Sequence, residues 1–319
     1  MERLNKRLQS PLEGTDISGL YLDNGYLFFN VEPVEVGIEE DSIDIELRIF
    51  EGDQATINKV IISGNDRTND HVILREIRTI PGQKFSRSDL IRTQQQLSQL
   101  GYFDPEQMDI RPIPNPVDGT VDMYYGLVER PSDQVELSGG WGGYFGFVGT
   151  LGLTVNNFSL KNIPHFDKWR PLPGGDGQRL SIRAQANGRQ FQSYTFQFVE
   201  PWLGGRKPNS FSLNLNSTVQ RNINTFTNQA LGTLKLHSAS VGLGKRLEWP
   251  DNYFTLNTTL GYTIYQLDNW IFADRSLGFS DGDAHTMLFG VTLARNSVCL
   301  LYTSDAADDN RVVVGGGGG

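Results

Sequence analysis

Between residue 134 and about residue 296, apolar side chains recur at every second position in one segment after another. Nowhere is the chain continuously apolar for long enough to make a membrane helix. Period-two alternation is the signature of strands with one apolar and one polar face. Eight strands are predicted, at about 135–146, 147–156, 179–188, 191–200, 209–219, 233–245, 253–266 and 284–295. In the third, Leu180, Ile182, Ala184 and Ala186 share one face and Arg179, Ser181, Arg183, Gln185 and Asn187 the other. A soluble sandwich also alternates, so alternation alone does not choose the solvent. The strands are long enough to cross a bilayer at a tilt. Tyr144, Phe145, Trp202, Trp249 and Trp270 fall at strand ends, as an interfacial aromatic girdle requires. The polar face holds amides, hydroxyls and arginines suited to a wet lumen. Only helices and closed barrels satisfy their backbone in lipid. These strands are therefore expected to belong to an antiparallel transmembrane β-barrel.

The opening segment, Gln134–Val155, carries Gly139, Gly140, Gly142, Gly143 and Gly146. Glycine brings no side chain to pack and loses the most entropy on ordering. The first strand is thus expected to hold a partner poorly.

Charge divides the chain at the same place. Residues 1–133 hold 13 Lys+Arg against 24 Asp+Glu, a net of −11, and residues 134–319 hold 15 against 13, a net of +2. An acidic N-terminal part argues against nucleic acid, which demands a basic footprint. Cys299 is the only cysteine, so no disulfide can close within the chain. The opening MERLNKRLQSPLEG has no apolar core of a signal peptide. The final SVCLLYTSDAADDNRVVVGGGGG neither alternates nor ends in an aromatic residue; residues 297–319 are expected to be a non-native or disordered tail, such as read-through or an assembly scar.

Residues 54–130 predict a strand, two helices and two strands. Ile57–Ile62 stops at Gly64-Asn65. Thr68 or Asn69 caps a helix that aligns Val72, Ile73, Ile77 and Ile80 and ends at Pro81-Gly82. Ser86 with Asp89 approximates a capping box for a helix that buries Leu90, Ile91, Leu97 and Leu100 and stops at Gly101. Strands follow near Met108–Ile113 and Thr120–Val128. Residues 1–53 give helix, strand, strand. Gly25-Tyr26-Leu27-Phe28 precedes Gly101-Tyr102-Phe103 by 76 residues, and Ile43-Asp44-Ile45 precedes Val121-Asp122-Met123 by 78, the mark of a repeated module.

The run REI…PGQKFS…DLIRTQQQLSQLGYFD resembles the POTRA domain. Joined through Glu129-Arg130-Pro131 to a glycine-rich strand, and followed by SYTFQFVEPWLGG at 193–205, it resembles the BamA-type outer-membrane protein assembly factors over about residues 15–296. The resemblance implies a partial POTRA domain at 1–53 and a complete one at 54–131. The N-terminal half of an outer-membrane barrel follows at 132–296, in a chain truncated at both ends. The expected fold is thus an α+β POTRA module followed by an all-β barrel of about eight strands. The same resemblance implies an outer-membrane protein with its POTRA domains in the periplasm. It would fold and insert other β-barrel proteins with the help of accessory lipoproteins and outer-membrane lipid. A two-partner secretion transporter uses the same two modules and is the alternative.

Such a task breaks no covalent bond. A barrel strand arriving unfolded has unpaired N–H and C=O groups that are costly in hydrocarbon, and a helper can offset this by offering a strand edge. The candidate edge is Gln134, Val135, Glu136, Leu137, Ser138, Gly139, Gly140, Trp141, Gly142 and Gly143. A second candidate edge is the POTRA strand Met108, Asp109, Ile110, Arg111, although Pro112, Pro114 and Pro116 weaken it. No catalytic constellation, metal site or cofactor site is expected. His71, His165, His237 and His285 stand apart, and Gly242-Leu243-Gly244-Lys245-Arg246 lacks the first glycine and the Ser/Thr of a phosphate loop.

Overall fold

The structure, a computed structural model, describes residues 17–39, 42–143, 146–205, 207–224, 229–249, 253–270 and 281–295. The chain divides after Pro131 into two compact units. The proposed tail at 297–319 lies outside the described residues.

The first unit contains α1 (Ile17–Asp23), β1 (Asn30–Glu39), β2 (Ser42–Phe50), β3 (Thr56–Ser63), α2 (Asp70–Leu74), α3 (Arg87–Gln99), β4 (Asp109–Asn115) and β5 (Thr120–Gly126). Strands β1 and β2 pair antiparallel, and a separate sheet has the order β3-β5-β4 with β3 parallel to β5. That parallel pair needs a long crossover, which the two helices and β4 supply. Alternation on β5 puts Val121, Met123 and Tyr125 at 0% exposure, and they meet Ile57, Val72, Ile73, Leu97 and Phe103 in one core. Tyr125 hydrogen-bonds Thr79, and burial raises its phenol pKa above the ordinary value. Gly64 adopts φ +83°, and a Cβ there would strike the Leu127 carbonyl, so the end of β3 requires glycine. The α1-β1-β2 segment is fastened to this module. Asp23 Oδ1 accepts from Ser88 N at 2.7 Å, and Gly25 O accepts from Ala55 N at 2.8 Å. The alternating Ile43, Ile45, Leu47 and Ile49 of β2 stay exposed among the described residues.

The second predicted cap is present: Ser86 Oγ accepts from Asp89 N at 3.3 Å. Ser86→Ala should cost about 1 kcal/mol of module stability; a thermal melt followed at 222 nm checks this, and an unchanged midpoint would show the cap to be idle. The first helix is corrected. It stops at Leu74, the Asn69 side chain makes no cap bond, and Ile80 is half exposed. The competing partner is Thr93, whose Oγ1 accepts from Arg78 N at 3.0 Å, while Gly82 N donates to Ile57 O. The backbone there bonds to α3 and β3 in place of its own next turn.

The second unit is an eight-stranded antiparallel meander: β6 (Gln134–Trp141), β7 (Phe147–Phe158), β8 (Gln178–Asn187), β9 (Phe191–Glu200), β10 (Asn209–Ile223), β11 (Ala230–Arg246), β12 (Phe254–Asp268) and β13 (Gly282–Arg295). Its register aligns the two faces across every strand. One row runs Val135, Leu153, Ile182, Phe196, Leu215, Ala239, Tyr262, Met287. The neighbouring row, one residue along, runs Glu136, Gly152, Arg183, Thr195, Asn216, Ser238, Thr263, Thr286. Slipping any one strand by a residue would exchange these rows, so the patterning specifies the register. The polar face is knitted by side-chain bonds such as Ser193 to Thr218 at 3.1 Å and Thr154 to Ser181 at 3.0 Å. The apolar face is uncovered: Val135 is 73% exposed and Met287 70%. Among the described residues of this unit, the buried apolar side chains are only Val155, Phe158, Pro173, Leu267 and Trp270. A continuous exposed apolar face of this extent is foreign to a water-soluble monomer and proper to lipid.

Candidate functional site

The candidate edge is β6. It forms one margin of the sheet, paired on one side with β7 from Gln134↔Thr154 to Trp141↔Phe147. At eight residues it is less than half the length of the seventeen-residue β11. All eight positions are exposed. At the rung Gly139↔Gly149 neither strand offers a side chain. The Phe147 ring lies over the gap, 3.5 Å from where a Cβ on Gly139 would stand and 2.9 Å from one on Gly149. Gly140 has open space around its missing Cβ. Glycine costs a strand roughly 0.5–1 kcal/mol per position relative to alanine, so two in succession weaken the far end of β6 by about 1–2 kcal/mol.

The near end is pinned. The Asn156 amide N–H donates to Asp133 Oδ1 at 3.2 Å, and its side-chain Nδ2 donates to the Ser132 carbonyl. Glu136 meets Arg183 at 3.1 Å across β7, but both are half exposed, so this ion pair contributes little. The edge strand is therefore held at its base and slack at its tip.

Three predicted site assignments are corrected. Gly142 and Gly143 leave the ladder for a turn closed by Gly142 N to Gly146 O at 2.8 Å, with Gly143 at φ +58°. A left-handed residue cannot continue a strand. Met108 stands one residue before β4 and packs against the module core, so that edge runs Asp109, Ile110, Arg111 onward. Trp270 is only 7% exposed, its backbone and that of Asn269 lying against Gly232 of β11, whereas Trp249 is 83% exposed. Trp202 lies in the turn after β9, and Tyr144 and Phe145 lie outside the described residues.

Sequence reasoning missed Asn156, and it read Phe147 only as part of a strand and Glu200 only as part of the strand-ending Glu200-Pro201-Trp202. Glu200 closes β9 by accepting from Gln178 Nε2 at 2.7 Å and from Trp202 N at 3.1 Å, which gives the acid before Pro201-Trp202 a clamping role. Its signal was an acid at the last place of a strand, just before proline.

No helix among the described residues is long and apolar enough to cross a membrane, and no group of His, Cys, Asp or Glu among them could hold a metal. Residues 55–130 match the family described as POTRA, a surface antigen variable number repeat. Those residues are a POTRA domain. Over 135 residues the chain is 33% identical to the outer membrane protein assembly factor BamA of Neisseria meningitidis, covering 42% of this chain and 17% of that protein. Over 191 residues it is 28% identical to a putative outer membrane protein assembly factor of Treponema pallidum, covering 59% of this chain and 21% of the relative. The crystal structure of BamA from Haemophilus ducreyi lacking POTRA domains 1–3 superposes with a TM-score of 0.57 at 21% identity, over 86% of this chain and 50% of that one. The chain is a homologue of the BamA-type assembly factors, and it matches about a fifth of the length of these curated relatives. Its fold is an α+β POTRA module followed by an antiparallel barrel sheet. It is an outer-membrane chain with its POTRA domain in the periplasm.

Proposed function

We propose that this chain takes part in folding and inserting β-barrel proteins into the outer membrane by lending the free side of β6 to a client strand. The observation that carries this reading is an edge strand with unpaired backbone, pinned at its base by Asn156 and slackened at its tip by Gly139 and Gly140. Each backbone bond formed with the client removes an N–H or C=O that would otherwise enter hydrocarbon unpaired. Affinity then comes from main chain, so clients of varied sequence can be served. The apolar row beginning at Val135 continues onto the client if the client pairs in register. Unfolded outer-membrane proteins and membrane lipid are the partners this mechanism needs. Accessory lipoproteins would find β4 a poorer template, because Pro112 and Pro114 fall on alternate places of that edge strand and lack N–H donors.

The test is Gly140→Val. There is room for the side chain, and a β-branched residue favours the strand. Stiffening the tip by about 0.5–1 kcal/mol should lower the fraction of time it is open, and client insertion with it, about 2- to 5-fold. The readout is the rate at which a client barrel becomes protease-resistant in proteoliposomes holding the full-length protein. An unchanged rate would remove the seam from the mechanism.

A further inference from the structure

The connection between β7 and β8 lies outside the edge just described, and it is built rather than slack. Ser159 is fully buried, donates from Oγ to Asp176 Oδ2 at 2.6 Å, and from its amide to the Pro173 carbonyl. Leu160 N donates to Gln178 Oε1 at 2.7 Å, and Gly177 N to Asn157 Oδ1 at 2.9 Å. The Trp169 indole donates to Asn162 O at 3.0 Å.

The loop's position on the sheet follows from two contacts. Phe158 packs edge-to-face on Phe198, with centroids 6.4 Å apart, and Phe198 lies in the apolar row Leu180, Phe198, Leu213, Val241. Gln178 reaches Glu200 on the same side. The loop is therefore folded against the lipid-facing side of the sheet, at the end where β6 begins. The chain passes from the POTRA domain at Arg130 to the start of β6 at Gln134, so that end is the periplasmic rim.

With Ser159, Asp176 and Gln178 turned into this internal network, the loop also presents apolar side chains outward. Leu160, Ile163 and Phe166 are 54%, 41% and 75% exposed, and the Phe166 ring lies 5.0 Å from that of Trp169. The exposed Lys161 and Arg170 flank them, with Asp167 the one acid between those two. Apolar and aromatic groups bordered by basic ones, continuous with a lipid-facing surface, match the boundary between acyl chains and phosphate headgroups.

We propose that residues 160–170 form an interfacial foot seated in the inner leaflet of the outer membrane, with Leu160, Ile163 and Phe166 in the acyl boundary and Lys161 and Arg170 at phospholipid phosphates. This rests on the placing of the sheet's apolar face in lipid. By gripping the leaflet beside β7, the foot would hold the base of the edge strand at a fixed depth while its tip moves.

Site-directed fluorescence tests this in the full chain carrying Cys299→Ser. An environment-sensitive dye is placed in turn at Phe166→Cys, at Met287→Cys on the apolar face and at Val117→Cys, 90% exposed in the POTRA domain. The protein is put in nanodiscs of phosphatidylethanolamine and phosphatidylglycerol containing a doxyl-labelled lipid. Position 166 should be quenched by the doxyl lipid as strongly as position 287 and be shielded from aqueous iodide, with position 117 showing the reverse. If 166 behaves like 117 while 287 reports lipid, the foot is wrong and the membrane sheet stands. If 287 also behaves like 117, the membrane placement and the foot fall together.

Discussion

Val241→Arg should destabilise the membrane-embedded sheet by about 2–4 kcal/mol, the cost of a cation near the middle of the hydrocarbon face of a barrel. Val241 sits between Leu213 and Leu260 near the centre of β11, on the apolar row. The neighbouring Ser240→Arg places the same charge on the face of Asn214 and Gly261, where a wet lumen accommodates it at little cost. The contrast between the two variants decides the assignment of faces. It is read from the heat-modified gel migration and the unfolding midpoint of each protein in detergent. Greater damage from Ser240→Arg would mean the faces are reversed and the apolar residues packed within a protein interior.

Phe103→Ala is the second large effect. Phe103 is wholly buried, bridges to Glu129 and stands among Leu97, Tyr102 and Met123 in the POTRA core. Removing a buried ring costs about 3–5 kcal/mol, which is most of the stability of a small module. The five tryptophans, at 141, 169, 202, 249 and 270, all lie beyond Pro131, while every α-helix described lies before it. Ellipticity at 222 nm therefore follows the POTRA domain, and indole emission follows the sheet. The variant should lose the first signal at much lower denaturant concentration and keep the second. A shift of both together would show that the two units unfold as one.

Much of this was legible in the residues because it is local. Alternation such as Ile43 to Ile49 or Leu180 to Ala186 needs only the period of two, and all eight strands of the sheet lie where it predicts them, within a few residues. Ser86 reads as a cap because its partner is three residues away. What escaped depends on distant chain. The rows across the sheet require the register of seven pairings, and no strand states its own. The Asn156 clasp on Ser132 and Asp133 joins residues more than twenty apart, and the bond from Arg78 to Thr93 overrides a helix that the local pattern favours. Trp270 looked like an interfacial anchor because it follows a strand. It is buried instead, and Gly232 on the neighbouring strand leaves space for the backbone of Asn269 and Trp270.

The clasp at Asn156 has a mechanical meaning. A ribbon fastened at one end can peel but cannot slide, so every excursion of β6 returns it to the same rung of β7. On the proposed mechanism, a client strand laid alongside would start counting from a fixed zero at the periplasmic rim. Its greasy residues would then line up with the membrane from the first bond formed, without a search through wrong alignments.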